Sequence, residues 1–142
     1  MNTTMHFIDA PTIYRFEEIR DCVDRVVKNA VHGEYNAGDV RMLLIKGLAF
    51  CAYSKDESGE VEIACVWEMV YYPRTTAVNV LALGGKNTKE NWVKYGPILL
   101  DLWKKQGADC IECATTQAMA RLLMSAGVPI EPTYVLSRGY LK

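Results

Sequence analysis

The chain has 142 residues, half of them hydrophobic and 23% charged, which suits one globular core and excludes a disordered tail. Sixteen Lys and Arg against 17 Asp and Glu leave a net charge of -1, which excludes a broadly basic surface that neutralises many phosphates of a nucleic acid. No apolar run reaches the roughly 18 residues of a membrane helix, and Met1–Ala10 carries His6 and Asp9 without an apolar signal core, so a cytoplasmic protein with no membrane partner is expected.

In chain order, Phe16, Ile19, Val23, Val26, Val27 and Ala30 recur at helical spacing between Tyr14 and Val31, with Asp21, Asp24, Arg25 and Lys28 on the other side. This predicts an amphipathic helix ended by Gly33 and the Asn36-Ala37-Gly38 stretch. A short second helix is predicted from Asp39, a suitable N-cap, through Ile45, with Gly47 as its stop. Leu48–Ser54, Val61–Tyr72 and Thr75–Leu83 read as three strands, separated by Asp56-Glu57-Ser58-Gly59 and by Pro73-Arg74, and tight turns between consecutive strands make an antiparallel meander. Gly84-Gly85-Lys86 breaks the last of them. Asn87 and Glu90 then stand as a capping Asn and its N3 acid before a long helix carrying Trp92, Tyr95, Leu99, Leu102 and Trp103 on one face. Pro97 falls inside that helix, where a kink or an irregular first turn is expected, and Gly107 ends it. A strand over Asp109–Ala114, a helix from Gln117 to Ala126 and a final strand within Thr133–Leu141 complete the order. Strand, helix and strand from Thr75 to Ala114 form a crossover, which sets its two strands parallel. The expected fold is a mixed α/β sheet, mostly antiparallel, with helices on both faces, in a single domain over residues 1–142.

The five cysteines, Cys22, Cys51, Cys65, Cys110 and Cys113, suggest no disulfide framework, and thiols in apolar segments behave as small hydrophobes. Cys110 and Cys113 have zinc-knuckle spacing, but on a strand they point to opposite faces and a second ligand pair is missing, so no metal site is expected. Of the two histidines, His32 sits at an expected helix end, where the dipole favours a cation. No nucleophile elbow, P-loop, HExxH or EF-hand pattern occurs.

This element order, with the Leu83-Gly84-Gly85-Lys86-Asn87-Thr88-Lys89 junction between strand and helix, resembles the GNAT superfamily of acyl-CoA-dependent N-acetyltransferases from Tyr14 to Leu141. The resemblance implies that acetyl-CoA lies between the strand ending at Leu83 and the strand at Cys110. Its pyrophosphate would be held by the amides of Gly84, Gly85, Lys86, Asn87 and Thr88, with Lys86 adding charge, and its acyl carbonyl by backbone near Leu81 and Leu83. Glycines and a helix N-terminus suit an anion, and the same two glycines equally suit a plain strand-to-helix turn. The family's loop spacing is not matched. Counting back from Gly127, its Asn, acid Tyr and Phe positions hold Thr116, Leu123 and Val128, and leucine donates no proton. Tyr134 is the nearest downstream phenol. Glu68, the one carboxylate within the central strands, reads either as a general base or as a solvent-face residue of an alternating strand.

The Leu83–Trp92 and Arg121–Gly127 segments also resemble short GNAT-like proteins of tailed bacteriophages, some of them virion-associated. Two functions are therefore weighed. One is an N-acetyltransferase using acetyl-CoA and an amine substrate. The other is a degenerate GNAT-fold protein with a protein partner or a virion assembly role, in the host cytoplasm or the virion, for which the aromatics Trp67, Tyr71, Tyr72, Trp92 and Trp103 would supply a partner surface. The lysines along the long helix are interleaved with Glu90 and Asp101, which reads as a solvated face and not as a nucleic-acid site.

Overall fold

The computed structural model describes residues 4–30 and 35–141. The β-rich middle of the chain forms one five-stranded sheet in the order β1–β2–β3–β4–β5, with β1 (His6–Ile8), β2 (Phe50–Lys55), β3 (Val61–Tyr71), β4 (Thr76–Gly85) and β5 (Cys110–Glu112). Neighbours are antiparallel from β1 to β4, and β5 runs parallel to β4. The expected meander and crossover thus both form. β1 has no counterpart in the sequence reading, because three residues are too few for an alternation to register.

Helices cover both faces. On one lie α1 (Phe16–Ala30), entered through a 3₁₀ turn at Ile13–Arg15, and α2 (Ala37–Ile45); on the other lie α3 (Thr88–Lys105) and α4 (Gln117–Ser125). Phe16, Ile19, Val23 and Val27 of α1, with Val40 and Leu44 of α2, are buried against Cys51, Tyr53, Ala64, Val66 and Ala82. Trp92, Tyr95, Leu99 and Trp103 of α3, with Leu123 of α4, are buried against Ala52, Ile63, Cys65, Trp67 and Val78. Central strands apolar on both faces are what two helical layers require. Trp103 packs edge-on to Trp67, with ring centroids 5.7 Å apart. The three tryptophans therefore belong to the core, and of the aromatics weighed as a partner surface only Tyr71 and Tyr72 are exposed.

Several local expectations need correction. Asn36, not Asp39, caps α2: the Asn36 side chain accepts from Asp39 N–H at 2.9 Å and Asp39 returns a bond to Asn36 N–H at 3.0 Å. Asn87 does precede α3, but in the left-handed region at φ 47° and without a side-chain capping bond; the signature of an amide three residues before an acid fits either geometry. The helix runs on through Pro97. Proline cannot donate to the carbonyl of Val93, a residue on the exposed side of the helix. The helix end expected at His32 and Gly33 lies outside the described residues. Cys22, Cys51 and Cys65 are buried, whereas Cys110 is exposed and Cys113 half-buried.

The strand expected within Thr133–Leu141 does not form. Residues 129–141 have neither helix nor strand, and Tyr134, Val135, Leu136, Tyr140 and Leu141 are all exposed. Their composition is right for a strand, but strand geometry is held by hydrogen bonds to a partner, and among the described residues no edge of the sheet receives this segment.

Candidate functional site

β4 and β5 pair only through Ala77 with Cys110, Val78 with Ile111 and Asn79 with Glu112. There β5 ends, and the chain turns toward α4, where Thr116 caps the helix by accepting from Met119 N–H at 3.2 Å. β4 continues to Gly85. From Val80 onward, the peptide groups of β4 that point away from β3 have no strand opposite them among the described residues.

One residue past the parting the strand is deformed. Val66 pairs with Ala82, but the next β3 residue, Trp67, pairs with Val80, which leaves Leu81 as an extra residue on β4. Leu81 and Ala82 consequently face the same helical layer, the one made by α1 and α2. Such a bulge takes peptide groups out of the ladder, and the Leu81 carbonyl accepts instead from the Tyr35 hydroxyl at 3.1 Å. This bond fixes the segment leading into α2 beside the bulge.

Polar side chains form a row at the parting. Glu68, Asn79 and Glu112 are direct partners across β3, β4 and β5, so the two acidic Cα positions stand about 10 Å apart, two strand spacings. Asn79 Nδ2 donates to Glu68 Oε1 at 2.9 Å, and the Tyr72 hydroxyl donates to Glu112 Oε1 at 2.7 Å. All three residues of the row are half-buried. The bond to Glu112, with some burial and the charge of that carboxylate, pushes the Tyr72 phenol up to about 12. Tyr134 stands near enough to add a lesser push in the same direction.

The sequence-predicted phosphate loop is built differently from expectation. A Cβ on Gly84 would come within 2.2 Å of Val26 Cγ2, so this glycine lets α1 lie on the sheet. Gly85 has φ +132°, and a Cβ there would lie 2.2 Å from the Glu62 carbonyl oxygen. The Lys86 amide donates to that same oxygen at 3.2 Å, so it is already engaged by β3. Asn91 Nδ2 bridges the Glu62 and Lys86 carbonyls at 3.2 and 2.5 Å. Lys86 is not a free cation: its ammonium is paired with Asp56 and with Glu60 at 3.0 Å, both on the β2–β3 connection. The bond to Lys86, then that from Ser58, holds the Asp56 carboxyl well below the usual range, and the Lys86 pKa is raised in return. What remains free by geometry is the first turn of α3, whose leading amides have no acceptor within the helix.

Of the other expected positions, Leu81 is the bulge residue and Leu83 pairs with Cys65, its side chain packing with the α3 layer. Leu123 and Val128 are buried with Ala126 in the α3–α4 core. Tyr134 is 81% exposed. The fold thus sets Glu68 and Leu81 beside the middle of β4, Gly84–Thr88 at its C-terminal end and the turn beyond, and leaves Tyr134 on the surface. Asn79, Glu112 and Tyr35 are not singled out by the sequence, and Tyr72 enters there only as an aromatic of the partner surface, not as the donor to Glu112. Asn79 was legible: counting outward from the Tyr72–Thr75 turn puts Glu68 opposite it. Glu112 depends on the register of a crossover strand, which no local signal fixes. Among the described residues no group of three or more His, Cys, Asp or Glu side chains is disposed to hold a metal, and no helix is long and apolar enough to cross a membrane.

No family model matches the sequence, and no curated protein matches it either. Solved structures match along nearly the whole chain. An aminoglycoside acetyltransferase from an uncultured soil metagenomic sample, crystallised with sisomicin, aligns with TM-score 0.67 and 11% identity over 98% of this chain and 96% of its own. Ribosomal-protein-alanine N-acetyltransferase from Brucella melitensis biovar Abortus 2308 aligns with TM-score 0.66 and 8% identity, over 96% and 99%. Glucosamine-6-phosphate N-acetyltransferase from Arabidopsis thaliana aligns with TM-score 0.61 and 12% identity, over 98% and 99%. At such identities the likeness is one of fold, and the fold is that of the GNAT acetyltransferases.

Proposed function

We propose that this GNAT-fold chain is an N-acetyltransferase that transfers an acetyl group from acetyl-CoA to an amine. The observation that carries the reading is the parting of β4 and β5 at Asn79 and Glu112, with a bulge at Leu81 and a carboxylate, Glu68, one strand away. Unpaired peptide groups beyond the parting suit an acyl carbonyl and an amide-bearing arm. The leading amides of α3, with the dipole of an 18-residue helix behind them, suit a pyrophosphate. Within Gly84–Thr88 the phosphate-binding role thus narrows toward Asn87 and Thr88 and on into the first turn of α3, because Gly84 to Lys86 serve β3 and α1. Lys86 contributes only if it leaves Asp56 and Glu60.

Acetyl-CoA, when bound, supplies the activated acyl group. The chain's own work is to orient the amine and to remove its proton. Glu68 is the base, oriented by Asn79, and Glu112 adds a second negative charge that favours a cationic acceptor approaching this face. The amine nitrogen bonds to the acyl carbon as the carbon–sulfur bond breaks, and the proton that Glu68 receives is the one the departing thiolate ultimately takes up. Leu123 has no proton to give. A phenol as exposed as Tyr134 offers the thiolate little that water does not, so the proton returns through solvent.

Calorimetric titration with acetyl-CoA tests the binding half of this reading, and release of free thiol in the presence of a panel of amines tests the chemistry. Saturable binding is expected, and Glu68→Gln should keep it while slowing acetyl transfer by about 100-fold, the low end of general-base effects. No heat at millimolar acetyl-CoA overturns the reading.

A further inference from the structure

The bulge in β4 turns one carbonyl into the parting, and counting the ladder from both ends of the strand shows which. Tyr72 N–H donates to the Thr75 carbonyl at 2.9 Å, while Thr76 directs its N–H to the Asp109 carboxylate and its carbonyl to Asp109 N–H. Alternation then aims the backbone of the even-numbered residues, as far as Val80, toward the β5 side. From the far end, Lys86 N–H donates to the Glu62 carbonyl. Lys86, Gly84 and Ala82 therefore face β3, and Leu83 faces the β5 side. The parity changes at Leu81. Its peptide bond to Ala82 is trans, which opposes the Leu81 carbonyl to the Ala82 N–H. Since that N–H points to β3, the carbonyl points into the space that β5 leaves open beyond Glu112.

The open edge would thus hold an extra acceptor immediately before the Leu83 N–H. An acyl oxygen accepting from that N–H would meet the Leu81 oxygen as a like partial charge, the more so as its own charge grows in the tetrahedral state. The Tyr35 hydroxyl removes the conflict. It donates to the Leu81 carbonyl at 3.1 Å, from a half-buried side chain packed against the α1–α2 core. Its support is firm: Asn36, the next residue, exchanges capping bonds with Asp39 at 2.9 and 3.0 Å, and Val40 and Leu44 are buried.

We propose that Tyr35 is a positioning residue for the acyl group. By engaging the Leu81 carbonyl it lets the acyl oxygen meet the Leu83 N–H without an opposing oxygen beside it, and it holds the bulge peptide still as charge develops. This role rests on the acetyltransferase reading above. The bond also ties the segment that enters α2 to the acyl end of the parting, so two distant stretches of chain set one polar environment.

The acyl carbonyl itself gives the readout. Acetyl-CoA labelled with carbon-13 at the acyl carbon has an isotope-edited infrared band, which should lie at lower frequency on the wild-type protein than in solution. Tyr35→Phe keeps the ring and removes only the hydroxyl. It should return the band at least halfway to its solution position, while the calorimetric Kd for acetyl-CoA changes by less than about threefold. With an amine found by thiol release, kcat should fall about 10-fold and KM for acetyl-CoA stay level, because the interaction lost is one that strengthens in the transition state. A purely structural tyrosine would lower the urea midpoint and leave the bound band in place. An unmoved band, or loss of acetyl-CoA binding by Tyr35→Phe alone, overturns this inference and leaves the acetyltransferase reading standing. Absence of binding by the wild-type protein overturns both.

Discussion

At the Gly85 end of β4 the unusual residues answer packing demands, while around Asn79, in the middle of the strand, they answer none. Gly84 makes room for Val26 and Gly85 for the Glu62 carbonyl, and Lys86 is neutralised by the turn beside it. Remove those demands and nothing else calls for these residues. Glu68, Asn79 and Glu112, by contrast, are half-buried polar side chains in the middle of a sheet, where apolar residues would hold the strands at least as well and without a desolvation cost. A glycine pair announces itself in a sequence and here answers packing; a row of ordinary polar residues does not announce itself, and it is the row to which the proposed chemistry is assigned.

Substitutions can separate the two regions. The largest effect on stability is expected from Gly85→Ala, where a positive φ and a backbone clash combine to cost about 3 kcal/mol. Gly84→Ala, which must displace a β-branched side chain, should cost about 1–2 kcal/mol. Urea unfolding midpoints read both, and unchanged midpoints would break the assignment of this end to packing. Around Asn79, Glu68→Gln should alter stability by less than about 1 kcal/mol while removing most activity. If stability and activity fell together, the row would be structural too.

Smaller effects follow from titration. Tyr72 has a folded pKa of about 12 against an ordinary 10.0. Because the folded value is the higher one, the bond to Glu112 stabilises fully below pH 10 and ceases to do so as pH rises through 12. Absorbance titration of the phenols should show this late component, and Glu112→Gln should move it down. Asp56 behaves oppositely. Its folded pKa lies below the ordinary 3.8, so its contribution is present above that value and fades as pH falls through the lower one. Asp56→Asn should therefore raise the pH of acid unfolding slightly, with salt reducing the difference.

Most of the architecture was legible because it rests on periodicity and punctuation. The α1 pattern at helical spacing, the turn at Asp56–Gly59, and glycines after Ile45 and Lys105 each act over a few residues, and the helices and the meander follow. What escaped depends on distant chain. Asn87 reads as a cap because its side chain can cap, but the Glu62 carbonyl and Asn91 fix the backbone there. Thr133–Leu141 reads as a strand because its side chains favour one, but pairing is a property of two segments. The site divides the same way: Glu68 stood out as a lone acid among apolar residues, whereas Glu112 became its neighbour only through a crossover register.

Pro97 bears on how α3 breathes. Without an amide at that position, the helix has a gap in its bonding ladder midway between Thr88 and Lys105. Its two halves can open as separate units, each with its own amide exchange rate. The first half begins with the amides that the proposed anion would meet and is held by Trp92 and Tyr95, as the second is held by Leu99 and Trp103, all four buried. A bound phosphate would therefore slow exchange in residues 91–96 and leave 101–106 as they were, so the proline makes the leading half of this helix a local reporter of occupancy.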